Sequence, residues 1–567
     1  MLQINSGKLF KNEVEYRNNL RGMIYTNLRF PRDVIVETAA GKLLPAITAD
    51  STNALVYELE ELIEKRGEQR GILVSHSITP YALDFSVIIS FALNCTASPS
   101  NFLVERLLSE RPNLSTRTAP KSIVKRTFDS NIYCTNEDIS HFTCLVSKLI
   151  GMKRKSYLSI MKSLRSYVTG MQRISDDLEL AYTLIVASIE SLAQEFDGHV
   201  AAWEDYDQSK RSKIDKALKD ACPEVSKNVQ NAILEINHTS LGRRFKDFSL
   251  SYTKPSFYRL LEAEQALAPI TSFDLSASLS NAYQARSQYI HNLRKLPSEV
   301  TSSTPFAETC MVNNKPWMTI QGLSRLARHV ITEFIMSQST IEHEDYDYDL
   351  ERAGVVLLPL ASQYWIGNPV NYENNGTKKL GAFLTQYVSY LRQSPDAIVT
   401  DLKELLLVVE KKISEMHKDD KRAYATLYIL YNCFVGTNDR MANAERNCSG
   451  FDKYIPEDSI ESLIISCLLD HKPDIGLDVY YKTLMEYFKT RNNKLTLRVP
   501  SIIEAILVLE LAELYRQSEQ MQQAKKMISI AVECMPGNSQ LLNLEHNFIS
   551  IDNYVINWKN ILFPANE

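Results

Sequence analysis

Arg286-Ser287-Gln288-Tyr289-Ile290-His291 is the stretch of this chain whose residue types and spacing are most suited to chemistry. A guanidinium grips a phosphate through its planar donor fork, and an imidazole moves protons near neutral pH. Together they suffice in principle to break a phosphodiester without a metal. The chain has ten histidines, and only His291 has an arginine five positions before it. Spacing of this kind is a weak signal by itself, so the surrounding residues must carry the argument.

The two residues sit in LSNAYQARSQYIHNLRKLP, which reads as a helix from about residue 275 to 296, with Pro297 ending it. On one ideal helix, five steps of roughly 100° separate Arg286 from His291 by about 140°, so they do not share a face. A joint site then needs either a local distortion between them or a second copy of the helix. In a two-fold pair the same patch meets itself, and two arginines and two histidines would line one cleft.

Upstream, Tyr157, Met161, Leu164, Val168 and Met171 recur at spacings of four and three and mark one face of a bundle helix. The next helix, LELAYTLIVASIESLAQEF, is apolar almost all round and therefore central, with Asp176 and Glu179 placed as a capping box at its start. The segment MTIQGLSRLARHVITEFI closes this bundle near residue 338. The basic residues Lys153, Arg154, Lys155, Lys162 and Arg165, and further on Arg243, Arg244 and Lys246, read as solvated helix charges in preference to an RNA-facing strip.

In these features residues from about 140 to 338 resemble the HEPN superfamily, specifically its bacterial, Apea-like defence-associated branch. The resemblance lies in the long helices ending in IESL, with Glu190; in ARSQYIHN, preceded by the aromatic Tyr283; and in the GLSRLARHVITEFI helix that follows. It covers roughly a third of the chain. It implies a metal-independent endoribonuclease without a cofactor, acting as a toxin during phage infection and often as a dimer with a composite site. Arg286 would brace the phosphate and His291 would act as general acid or base. Glu190 would orient one of them, Ser287 would stand where the family usually has asparagine or aspartate, and Arg294 and Lys295 would hold flanking phosphates or complement the helix C-terminus.

Residues 1–135 read as a mixed α/β module, with β-rich runs GMIYTNLRF, VIVET and GILVSH broken by Gly41, Pro45 and Pro80. Within it, Leu55, Leu59, Leu62 and Ile63 in NALVYELEELIEKRG recur at helical spacing, with a glycine after Arg66 as a stop. The acidic IEHEDYDYDLERAG is a candidate linker. Residues 350–567 read as a helical repeat-like domain. There Leu511, Ala512, Tyr515, Ala524, Ala531 and Pro536 match one tetratricopeptide-like unit, with Ser501 and Glu504 framing its first helix as a capping box. The expected fold is therefore mainly α: a mixed α/β N-terminal module, a HEPN-like helical bundle over 140–338 and a helical repeat-like domain.

A chain of 567 residues with 44% hydrophobic and 23% charged residues can bury large cores, and its net charge of −5 excludes a uniformly basic nucleic-acid coat protein. Nine scattered cysteines without a CxxC argue against a metal site and for a reducing cytoplasm. There is no GxxxxGK[ST] loop, no G-x-S-x-G elbow and no HExxH, and no apolar run long enough for a membrane span or leader. The expected partners are RNA, with tRNA among the candidates, a second copy of the chain, and a protein or phage-derived trigger at the N- or C-terminal domain. The alternative is a non-catalytic dimerising adaptor or RNA-binding module with a helical partner-binding domain.

Overall fold

The computed structural model describes residues 1–31, 34–46, 52–65, 75–109, 119–194, 203, 208–236, 241–259, 261–301, 305–395, 397–548 and 555–564. It is mainly helical and divides into two compact units, residues 1–357 and 358–567.

Unit 1 begins with a sheet built on a long antiparallel pair, β1 (Val14–Thr26) against β4 (Asn53–Glu64), in the order β2 (Val36–Thr38), β3 (Gly41–Ala46), β4, β1, β5 (Ala97–Ser98). The segment expected as a helix is thus the strand β4. Its odd-numbered residues Leu55, Tyr57, Leu59, Glu61 and Ile63 all face inward, and the intervening positions are more exposed. Leu55, Leu59 and Ile63 satisfy both a helical and a two-residue period, and long-range pairing with β1 decides between them. The alternation also buries the carboxylate of Glu61, which accepts from the Tyr81 hydroxyl at 2.9 Å and the His76 backbone N–H at 3.0 Å. The proposed glycine stop, and residues 71–74 of GILVSH, lie outside the described residues.

Helix α1 (Thr79–Ala92) covers the sheet, with Phe85 against Tyr57 at 4.8 Å between ring centres. Its other side meets α2 (Asn136–Gly151) and α3 (Arg154–Arg173), through Phe85 on Phe142 and Phe91 on Tyr167. One hydrophobic core therefore runs from Ile24 and Leu55 through Phe142 and Leu164 to Leu326, and the expected border near 135–140 does not divide two cores. The bundle continues with α4 (Leu178–Ala193), α5 (Leu241–Tyr252) and α6 (Ser272–Asn292). A hairpin, β6 (Thr309–Val312) and β7 (Lys315–Met318), then leads to α7 (Ile320–Ser337). The hairpin turns on Asn313 and Asn314, both at positive φ, as a two-residue loop requires. Helix α4 starts one residue later than its expected capping box: Asp177 accepts from the Leu180 N–H at 2.8 Å, and Asp176 pairs instead with Arg106 and Arg173.

Two expectations about charge fail in an instructive way. Arg154, read as a solvated charge, is 1% exposed, because its guanidinium donates to Glu351 at 2.6 and 2.9 Å and to the Gln3 carboxamide at 3.3 Å. The segment 341–354, read as a linker, is consequently a strap on unit 1. The Arg154 N–H donates to Glu344 at 2.6 Å, the Ile341 N–H to the Gly151 carbonyl at 2.8 Å, and buried Tyr348 packs on Phe10 while donating to Glu64.

On α7, Arg325 is held by Glu308, by the Phe257 carbonyl at 2.9 Å and by the Phe257 ring face. Arg328 pairs with Glu262. Next to them the Lys254 N–H donates to Nε2 of His329 at 3.2 Å, so the imidazole is neutral; burial first, then the two arginines, pull its pKa down to about 4.

Unit 2 is an array of helices that includes α8 (Gly376–Leu391), α9 (Lys418–Phe434), α10 (Ile460–Leu468), α11 (Leu477–Thr490), α12 (Ser501–Gln517) and α13 (Met521–Cys534). The small residues Ala512, Ala524 and Ala531 are fully buried where α12 and α13 pack as a hairpin. The Ser501–Glu504 capping box is absent: Pro500 holds the cap position, and Glu504 turns inward to accept from the Tyr487 hydroxyl at 2.8 Å and to pair with Arg491. No described helix is long and apolar enough to cross a membrane.

Removing the Arg154 guanidinium strands Gln3 and Glu351, so Arg154→Ala should lose about 3 kcal/mol in urea unfolding followed for unit 1, and a loss under about 1 kcal/mol would contradict this account. His329 gives a pH dependence of defined sign. The unfolded imidazole takes a proton near 6.5 and the folded one near 4, so stability contributed at neutral pH is lost as pH falls through that window, by at most about 3 kcal/mol. Thermal unfolding between pH 7 and pH 4 should show His329→Gln less acid-sensitive than the parent chain.

Candidate functional site

Helix α4 is central because its apolar residues face α3, α5, α6 and α7 at once. Glu190 falls in its last turn and is 4% exposed. A buried carboxylate requires donors, and α6 supplies them. Arg286 reaches Glu190 Oε2 at 2.8 Å, and the Tyr283 hydroxyl donates to Oε1 at 3.4 Å. Tyr283 and Arg286 are three residues apart, which puts them on one side of the helix, and the guanidinium lies 5.8 Å from the tyrosine ring centre. The ring in turn presses on α5. A Cβ at Gly242 would stand 2.9 Å from it, so glycine is what permits the approach, and Phe245 packs alongside at 5.7 Å.

Burial pushes the Glu190 carboxyl above its ordinary value, and Arg286 and the Tyr283 hydroxyl pull it back. The phenol of Tyr283 is itself pushed up to about 12, chiefly by burial, and so stays a donor. Arg286 retains only 21% of its side-chain exposure, and its Nε is buried without an acceptor among the described residues. The arginine is thus part of the contact between α4 and α6, with a terminal nitrogen turned to Glu190.

His291 is placed differently. It lies in the last turn of α6, exposed, and makes no hydrogen bond or ion pair among the described residues. The helix ends at Asn292, earlier than expected. Leu293 adopts the left-handed conformation, and its N–H returns to the Tyr289 carbonyl at 2.8 Å. Arg294 and Lys295 therefore follow the helix and are exposed, and half-buried Ser287 has no side-chain hydrogen bond among the described residues. Because α6 is unbroken from Ser272 to Asn292, no distortion brings His291 round to Arg286. Glu190 joins the arginine and not the histidine.

Two contacts that position α6 escaped sequence reasoning. The Tyr289 hydroxyl donates to Asp177 at 3.3 Å, tying the motif to the start of α4, and Asn281 donates to the Pro316 carbonyl of β7 at 2.8 Å. A tyrosine inside the motif was the only available sign of the first; nothing marked the second. Of the basic residues upstream, Lys153, Lys155, Lys162 and Arg165 are exposed, with Arg165 paired to Asp84, and Arg243 pairs with Asp247.

Compared with protein-family models, with curated proteins and with solved structures, the chain finds no match in any of the three. Its functional reading rests on these residues.

The contrast between the two motif residues is measurable. Glu190→Ala leaves a largely buried guanidinium without its carboxylate and should cost about 3 kcal/mol, whereas His291→Ala should fall within about 0.5 kcal/mol of the parent. Equal losses in urea unfolding would show that His291 is held by contacts not described above.

Proposed function

We propose that unit 1 is a metal-independent endoribonuclease of HEPN type, with Arg286 and His291 as its working residues and RNA, tRNA among the candidates, as substrate. The supporting observation is the division of labour on α6: an arginine held by a buried carboxylate, and an exposed imidazole in the last turn that makes no hydrogen bond or ion pair among the described residues. In this reading the imidazole takes the proton of a ribose 2′-hydroxyl and the 2′-oxygen attacks phosphorus. The imidazolium of the second copy gives its proton to the departing 5′-oxygen as the P–O bond breaks, giving a 2′,3′-cyclic phosphate and a 5′-hydroxyl. Arg286 meets the developing negative charge, and Glu190 and Tyr283 orient it.

Since the helix is continuous, the arginine and histidine of one chain face apart, and the reading requires a homodimer in which the two copies of α6 line a shared cleft with two arginines and two histidines. Ile290 and Leu293, which are 48% and 74% exposed beside His291, give that contact an apolar component. Unit 2 would hold or release the nuclease in response to a protein or phage-derived trigger, making the protein a conditional abortive-infection effector in the cytoplasm.

A second reading is favoured by the Arg286–Glu190 pair itself. A guanidinium already bound to a carboxylate is also a structural tie, and the bundle would then be a non-catalytic dimerising adaptor.

Purified protein incubated with end-labelled total RNA and tRNA in excess chelator, alone and with lysate from phage-infected cells, separates the two. Cleavage yielding cyclic phosphate ends, reduced at least about 100-fold in both Arg286→Ala and His291→Ala, is expected. Cleavage undiminished in His291→Ala would overturn the role given to His291, and intact RNA throughout with dimerisation retained would favour the adaptor.

A further inference from the structure

A second feature of unit 1 has the construction of a ligand site. The loop after residue 124 folds into a cavity of about 330 Å3 whose walls include Lys125, Arg126, Tyr133, Tyr167 and Arg328. None of Glu190, Arg286 or His291 lines it.

Arg126 has φ +72°, and the Thr127 N–H returns to the Lys125 carbonyl at 3.0 Å. This is a three-residue γ-turn of the positive-φ form, which is rare for any residue and strained for one with a long side chain. Asn94 and Phe306, also on the cavity wall, have positive φ as well, at 47° and 61°. Such backbone persists only where its surroundings over-determine it. Here a buried polar network does so. Fully buried Asn27 donates to the carbonyls of Thr127 and Asp129 at 3.0 and 2.7 Å, the Thr96 hydroxyl donates to the Thr127 carbonyl at 2.9 Å, and the Thr127 hydroxyl donates to the Asn94 carboxamide at 2.8 Å.

The strained turn presents two cations in succession. The Lys125 ammonium has only the neutral Gln265 carboxamide, at 3.0 Å, among the described residues. Arg126 reaches Asp138 at a long 3.4 Å, while that carboxylate is already shared with the Thr135 N–H and hydroxyl, and its buried Nε has no acceptor among the described residues. Arg325 and Arg328 are neutralised by Glu308 and Glu262, and exposed Asp129 is the remaining acid on the wall. At the rim the Tyr133 ring is 70% exposed, with the Arg29 guanidinium 5.9 Å from its centre. Adjacent ammonium and guanidinium groups suit a tetrahedral oxyanion, and an open aromatic face suits a flat ring. The volume lies at the lower end of small-ligand pockets, roughly 300–1,000 Å3, and has room for one nucleotide but not a strand.

We propose that this cavity binds a small phosphate ester carrying a flat ring, of the ribonucleoside monophosphate class, with its phosphate on Lys125 and Arg126 and its base on Tyr133. The assignment is independent of the ribonuclease reading, and its test uses no RNA cleavage.

Isothermal titration of the full chain with AMP, GMP, CMP and UMP, and with inorganic phosphate and the free nucleosides, decides it. At least one monophosphate should bind at least tenfold more tightly than either phosphate or its own nucleoside. Lys125→Ala should weaken that binding at least tenfold, and Tyr133→Ala should weaken the monophosphate while leaving phosphate unchanged. Arg126→Gly guards against a folding artefact: glycine suits the left-handed turn, so the thermal midpoint should stay level or rise while affinity falls at least tenfold. The proposal is overturned if no monophosphate binds at millimolar concentration, if phosphate alone binds as tightly, if the variants bind like the parent, or if only an RNA oligomer binds.

Discussion

A single buried guanidinium ties the N-terminal segment and the 341–354 strap to the bundle of unit 1. Arg154 opens α3 just after α2 has ended, and its side chain and N–H gather Gln3 from the N-terminal segment and Glu344 and Glu351 from the strap. Around it the last carbonyls of α2 need donors, as the end of any helix does. Lys8 supplies them from its ammonium, at 2.7 Å to Gly151 and 2.6 Å to Met152, with Gln3 at 2.7 Å to Met152. A cation at a helix C-terminus is favourable on dipole grounds, and here it also joins parts of the chain more than 140 residues apart. The same device recurs in unit 2, where buried Lys379 donates to the carbonyls of Trp365, Ile366 and Asn368, and burial lowers its pKa to about 8.

Buried carboxylate–guanidinium pairs are the structure's other recurring element, and they differ in what they leave available. Arg325 with Glu308 is closed on every side, at 4% exposure, and serves packing. Arg286 with Glu190 keeps 21% exposure, and the next turn of its helix carries a histidine that is exposed. Taking two charges from water is costly, so such pairs are weak evidence for stability and better evidence for a defined orientation. At α6 the orientation is that of an arginine held by a carboxylate and a tyrosine.

Much of the helical framework was legible because its signals are local. The face Tyr157, Met161, Leu164, Val168, Met171 is buried as its spacing required, and the all-round apolar α4 is central. Where local signals were degenerate they misled. Leu55, Leu59 and Ile63 fit two periods, and only pairing with β1 made them a strand. Asp176 and Glu504 had the types and positions for helix caps, yet each found a better charge partner elsewhere in the fold. The acidic run at 341–354 had the composition of a linker, and Arg154 and Glu64 turn it into a strap.

The sequence by itself determined the inventory: which residues can carry charge or protons, the helical character of most of the chain, and the 140° that separate Arg286 from His291 on one helix. These follow from side-chain chemistry and from the fixed geometry of a helical turn. Only the tertiary structure decided that Glu190 belongs to Arg286 and not to His291, that Arg154 is a hub and not a surface charge, and that Lys125 and Arg126 share a cavity wall with Tyr133. Burial and charge pairing are set by which distant segments meet, and residue types alone do not encode that meeting in any short window.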